Sequence, residues 1–201
     1  MKSIQHKIIK KIGIVMTLSM TLGIGEYSFA AAIVQDVKPG GMGFGGWPNP
    51  RFEDAVKADS TRCADAKIDN LTGLMWQHNA RNGGHTWHHL TNAATGAKTC
   101  GYTDWRLPDL GEMLSLVNYG SAGTPRDWLL GQGFFYDIPG DAYYWTSTAN
   151  SQNSNQAWLV DIMNGSTRVH NKGSYEVATS PTTRYTFAWY VRGPKNPHLI
   201  L

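Results

Sequence analysis

Four histidines, His78, His85, His88 and His89, fall within twelve residues. Neutral imidazole is the commonest ligand of zinc and copper, and two rings one helical turn apart can close on a single ion. His85 and His89 have that i, i+4 spacing and, with His88, are the minor metal candidates of the chain. The helix that carries them is expected to start at an N-cap on Thr86, which leaves His85 ahead of its first turn. No Cys, Asp or Glu lies among the four to complete a ligand set. A solvated polar face is the favoured reading, and no metal or other cofactor is expected.

Catalytic spacings are sparse. GxSxG, HExxH, a P-loop and a dinucleotide fingerprint are all absent. Gly43-Phe44-Gly45-Gly46 sits in a Gly/Pro-rich stretch without a preceding strand, which argues against a phosphate cradle. Asp137 and Asp141 could form a glycosidase acid–base pair, but they flank Pro139-Gly140 and read better as turn residues. Cys63 and Cys100 are even in number and lack CxxC spacing, so one disulfide is expected ahead of a metal thiolate pair or a catalytic thiol. We therefore expect no enzyme.

Binding chemistry is better represented. Segments 147–156 (STANSQNSNQ) and 171–184 (NKGSYEVATSPTTR) crowd Asn, Ser, Gln and Tyr without periodicity. Such residues hydrogen-bond in both senses at modest ordering cost, and loops on a rigid scaffold commonly carry binding sites. Asn150, Gln152, Asn153, Asn155 and Tyr175 are the polar and aromatic candidates; Arg168, His170, Lys172 and Arg184 add donors suited to sulfate or carboxylate.

These residues need a scaffold, and the chain begins with an export signal. Lys2, Lys7, Lys10 and Lys11 precede an uncharged apolar run over 12–24, and Ser28-Phe29-Ala30 offers small residues where a signal peptidase reads. The run falls short of the ~20 residues a spanning helix needs. We expect a signal peptide over 1–30, delivery to the periplasm, cell surface or medium, and no integral membrane segment after cleavage. Cleavage also removes four lysines and one glutamate, so the net charge of +3 falls to zero, with fourteen basic and fourteen acidic residues. A nucleic-acid partner is thereby disfavoured.

Residues 31–50 include PGGMGFGGWPNP and read as a Gly/Pro-rich linker or strap, ahead of one domain over 51–193 and a tail over 194–201. Short strands are expected at 51–53 and 66–68, then a turn at Asp69-Asn70 and buried Leu74, Met75 and Trp76. Thr86 caps a helix over 86–97 with Trp87, Leu90 and Ala94 on one face. A second helix spans 108–118: Asp109 is the N-cap, Glu112 completes a capping box, and Leu110, Met113, Leu114 and Val117 form its apolar face. Strands follow at 143–148, at 157–163 with Trp158, Val160 and Ile162 alternating, at 166–170 after an Asn164-Gly165 turn, and at 187–192. Trp76, Trp105, Trp145, Trp158 and Trp189 are expected in the core. The fold class is α+β: two helices packed on a small antiparallel sheet with long irregular loops.

Five blocks, DNLTGLMWQ, GYTDWRLPDLGEMLSLV, YYWTST, AWLVDIMNG and WYVRG, occur in this order between Asp69 and Gly193. In them the chain resembles a bacterial domain-of-unknown-function family related to the C-terminal domain of the Legionella collagen-like adhesin. The resemblance implies a C-type lectin-like module, similar in fold to formylglycine-generating-enzyme-like domains, and relatives that bind sulphated glycosaminoglycans. The chain lacks the adhesin's collagen-like repeats and the EPN and QPD tripeptides of calcium-dependent lectins. The copper-holding cysteine pair of the enzyme branch lies far along the chain, whereas the last cysteine here is Cys100. The expected function is an exported, adhesin-like, non-enzymatic module for an extracellular glycan or surface polymer. The alternative is a structural or assembly protein of the cell envelope or an appendage that binds a protein partner, and the least favoured reading is an enzyme of the formylglycine-generating fold.

Overall fold

The computed structural model describes residues 47–57, 59–79, 82–134, 142–179 and 182–194. The expected signal peptide, most of the 31–50 segment, Asp137, Asp141 and the tail beyond residue 194 lie outside them.

Among the described residues, two sheets and three short helices make a small α+β domain. The first sheet orders β1 (Phe52–Val56), β2 (Arg62–Asp69), β3 (Met75–Gln77) and β10 (Val191–Arg192) side by side, all antiparallel. The second runs β4 (Asn82–Gly83), β9 (Thr182–Ala188), β5 (Tyr143–Asn150), β6 (Asn153–Asp161) and β7 (Thr167–Asn171), with β8 (Glu176–Thr179) paired to β9. Helices α1 (Trp87–Thr95), α2 (Leu110–Ser115) and α3 (Pro125–Gly131) flank the sheets.

Strand alternation divides the interior into two apolar clusters. Tyr144 and Val160 point into one, with Trp76, Met113, Leu129 and Trp189; their neighbours Tyr143, Trp145 and Leu159 point into the other, with Leu90, Ala94 and Trp105. The central strands are thus buried on both faces, which explains their nearly continuous apolar sequence.

The Trp105–Pro108 block joins several elements. Arg106 donates to both Glu112 carboxylate oxygens at 2.7 Å and to the Gly193 carbonyl at 3.3 Å, while its backbone bridges Val191. Glu112 is fully buried and also closes the α2 capping box with Asp109. One carboxylate therefore satisfies the helix N-terminus and pairs the arginine that ties the last strand to this corner. The terminal block answers it: Trp189 donates to Gln77 O at 2.6 Å and Tyr190 to Leu90 O at 2.9 Å. Cys63 on β2 is bonded to Cys100 in the 3₁₀ turn Thr99–Gly101.

Several expectations need correction. The sheet is neither single nor wholly antiparallel, because β5 and β9 pair in parallel. A third helix, α3, is added to the two expected; it follows Thr124, whose capping box with Asp127, together with Pro125 at the first turn, makes its start signal. The expected last strand divides into β9 and β10, which belong to different sheets. Both expected irregular loops are largely hairpins: β5 continues to Asn150 and β6 begins at Asn153, while 176–184 is mostly β8 and β9. Their polar composition reflects exposed strand faces rather than absence of pairing. Trp158 is only half-buried, because its cross-strand neighbour Val169 lies on the edge strand β7.

Gly83 pairs with Phe187, and a Cβ placed there would overlap the Phe187 ring. Gly83→Ala is expected to lose about 1–3 kcal/mol by overpacking, measured by urea denaturation. An unchanged midpoint would mean that the ring swings aside at no cost.

Candidate functional site

Register on the second sheet gathers the cationic candidates. On β7, Arg168 lies opposite Leu159 and His170 opposite Ala157; on β9, Arg184 lies opposite Val177. All three partners belong to the cluster that holds Tyr143 and Trp145, so these side chains rim the same face. The guanidinium carbons of Arg168 and Arg184 stand 5.4 and 5.3 Å from the Tyr143 ring centroid. A cation over an aromatic face is attracted by the ring quadrupole, so Tyr143 holds two like charges near one another.

Only one of the two is neutralised nearby. Arg184 Nη1 donates to Asp161 Oδ2 at 2.9 Å, and that carboxylate, almost fully buried, also accepts from the Met163 N–H. Arg168 has no hydrogen-bond acceptor or carboxylate partner among the described residues. The patch thus keeps an excess positive charge and unused guanidinium donors, the chemistry that recognises a sulfate or carboxylate.

His170 adds shape rather than charge. Its ring packs 5.8 Å from Trp145, and its buried Nε2 meets no partner. Burial first, and then the Arg168 charge, hold its pKa below the usual histidine value. A histidine shifted in this sense stabilises the fold fully above its unfolded pKa and loses that contribution as pH falls through the folded value.

The other candidates fall elsewhere. Asn150 and Asn153 accept the backbone N–H groups of Gln152 and Asn155, and Asn150 donates to Gln156 at 2.8 Å, so both build the β5–β6 hairpin. Gln152 sits exposed at its tip, and Asn155 O accepts the Lys172 N–H. Lys172 Nζ donates to Ser154 O at 2.8 Å and lies 4.5 Å over the Trp87 ring. Tyr175 stacks on Tyr185 with ring planes 18° apart and centroids 6.4 Å apart, and the two are 40% and 46% exposed.

Tyr143, Trp87 and Tyr185 are the partners that sequence reasoning missed. Tyr143 was expected only as a strand residue and Trp87 only as part of an apolar helix face. Residue spacing carries no record of which cations will cross the sheet to reach them.

The histidine cluster comes apart. His85 and His89 do meet, stacked at 4.1 Å, although His85 precedes the helix. His88 turns edge-on to Trp87, and His78 Nε2 contacts the Gly133 carbonyl. No group of three or more metal-ligating side chains occurs among the described residues. Nor is any described helix long and apolar enough to cross a membrane.

No curated protein matches the chain. A family model described as the Lcl C-terminal domain does match, over residues 66–192, which take in the Arg106–Glu112 corner, both central strands and the arginine-bearing hairpins. With well over half its length inside that match, the chain belongs to the Lcl C-terminal domain family, the relation to the Legionella collagen-like adhesin that its sequence blocks imply.

Proposed function

We propose that this chain is an exported, non-enzymatic binding module of the C-type lectin-like type. It recognises anionic carbohydrate or a similar extracellular polymer through β7 and the β8–β9 hairpin. The observation that carries this reading is Arg168, a half-buried guanidinium held beside the Arg184–Asp161 pair without an acceptor of its own among the described residues. Tyr175 and Tyr185 supply an exposed aromatic pair suited to stacking on a sugar ring. The adhesin relation and the export signal support a ligand outside the cytoplasm.

A glycan array probed with wild type, Arg168→Ala and Tyr175→Ala tests the proposal. Sulphated or carboxylated glycans are expected to bind, and Arg168→Ala to weaken them by roughly tenfold or more, the cost of a charge-assisted hydrogen bond. Null profiles for wild type and variants alike would rule it out.

The same exposed tyrosine pair also favours a second reading, an assembly role with an envelope protein, since tyrosine is enriched at protein interfaces. One stoichiometric protein partner from an envelope extract, without glycan binding, would select that reading.

A further inference from the structure

Away from the β7 surface, Trp47, Arg51, Asn118, Ser121, Trp128 and Gln132 line a cavity of about 320 Å³. That volume lies at the small end of the range typical of small-molecule sites. We propose that this cavity binds a neutral polyhydroxylated ring, a pyranose unit or its N-acetyl derivative.

The walls are aromatic. The Trp47 and Trp128 rings lie 5.2 Å apart, inclined at 54°, and the Arg51 guanidinium sits 4.1 Å over the Trp47 ring. Arg51 is itself anchored, donating to both Asp69 carboxylate oxygens at 3.0 and 2.9 Å and to the Ser115 carbonyl at 2.7 Å. Trp47 therefore rests on a fixed cation, although it lies outside the regular strands. Indole faces held in this way offer a stacking surface to the C–H face of a sugar.

The polar groups accept and donate in both senses. Asn118 uses its side-chain oxygen on the Gly120 N–H at 2.9 Å, which leaves its amide NH₂ available. Ser121 donates to Asn118 O at 3.0 Å and keeps its oxygen lone pairs. The Gln132 side chain makes no hydrogen bond among the described residues, and buried Arg51 Nη1 also lacks an acceptor. A hydroxyl both donates and accepts, so it matches such a set.

Charge separates this ligand from the one proposed for β7. Arg51 is the one charged residue among the described lining, and Asp69 already neutralises it. A sulfate or carboxylate would enter without a counter-charge and lose hydration. An apolar ligand would strand the amides. Trp47 and Arg51 also precede the matched family segment, so this cavity is partly built from sequence the family model does not cover.

Nitrogen-15 spectra of the Trp indole N–H signals test the proposal, with methyl α-glucoside, methyl α-mannoside, methyl β-N-acetylglucosaminide and inorganic sulfate titrated to about 50 mM. At least one glycoside is expected to shift the Trp47 and Trp128 signals saturably, and sulfate to leave them in place. Gln132→Ala is expected to weaken that binding about tenfold, and Trp47→Ala to abolish it, with thermal melts confirming the fold. Gln132 is only half-buried and its side chain holds no hydrogen bond among the described residues, so its variant decides the matter if Trp47→Ala fails to fold. The proposal is overturned if no glycoside moves either signal, if sulfate does, or if Gln132→Ala binds like wild type.

Discussion

Asp69→Ala is expected to lower the unfolding free energy by about 3–5 kcal/mol, the cost of stranding a buried charge. Arg51 and Asp69 have side chains 2% and 0% exposed and meet through two hydrogen bonds. The same carboxylate accepts the Leu71 N–H and the Thr72 hydroxyl, both at 2.9 Å, so it also shapes the turn between β2 and β3. Removing it leaves a guanidinium among Trp47, Phe52 and Trp128 without a counter-ion. Urea denaturation measures the loss. Arg51→Met combined with Asp69→Leu should recover part of it, because an apolar pair of similar volume avoids the desolvation penalty. A loss below about 1 kcal/mol for Asp69→Ala would mean that the pair is hydrated in solution.

Loss of the Cys63–Cys100 bond ranks next. The two residues are separated by 37 positions, a loop whose closure entropy corresponds to about 4 kcal/mol. The loop contains β3, β4 and α1, so the bond ties α1 and the 3₁₀ turn to the first sheet. Cys63→Ala/Cys100→Ala is expected to lower Tm by about 10 °C relative to the oxidised protein, given the usual entropy of unfolding for a domain of this size. Both cysteines are buried, and alanine at each leaves apolar surroundings intact. A Tm within about 2 °C of wild type would show that the unfolded chain is already restricted in this region.

Features set by near neighbours were legible in the sequence. The Thr86 and Asp109 caps, the capping box to Glu112 and the turn at Asp69 depend on residues two or three apart, and each occurs where its residues imply. The buried tryptophans at 76, 105, 145 and 189 follow from apolar blocks too dense to leave in water. The paired cysteines, the only two in the chain, required little more than counting. Trp158 escaped the same reasoning, because alternation tells which residues share a face and not how far that face is covered.

The proposed binding surface was legible only as composition. Arg168, His170 and Arg184 stood out as donors, yet what brings them to one face is the arrangement of β7 and β9 on either side of the β5–β6 pair. That order depends on the parallel β5–β9 contact, between segments about forty residues apart. Asn150 and Asn153, equally prominent by type, turn inward to their own hairpin because an amide two residues from a backbone N–H finds a partner at once. The Trp47–Trp128 cavity was still further from view, since it joins residues before β1 to residues around α3.

Local chemistry, which acts over three or four residues, wrote the helix starts, turns and family blocks directly into the order of amino acids. Which cation faces which ring, which carboxylate answers which arginine and which polar groups are left with unmet donors were settled only when distant strands paired. Those relations depend on register and sheet order, and a one-residue slip in register would turn every side chain of a strand to the other face.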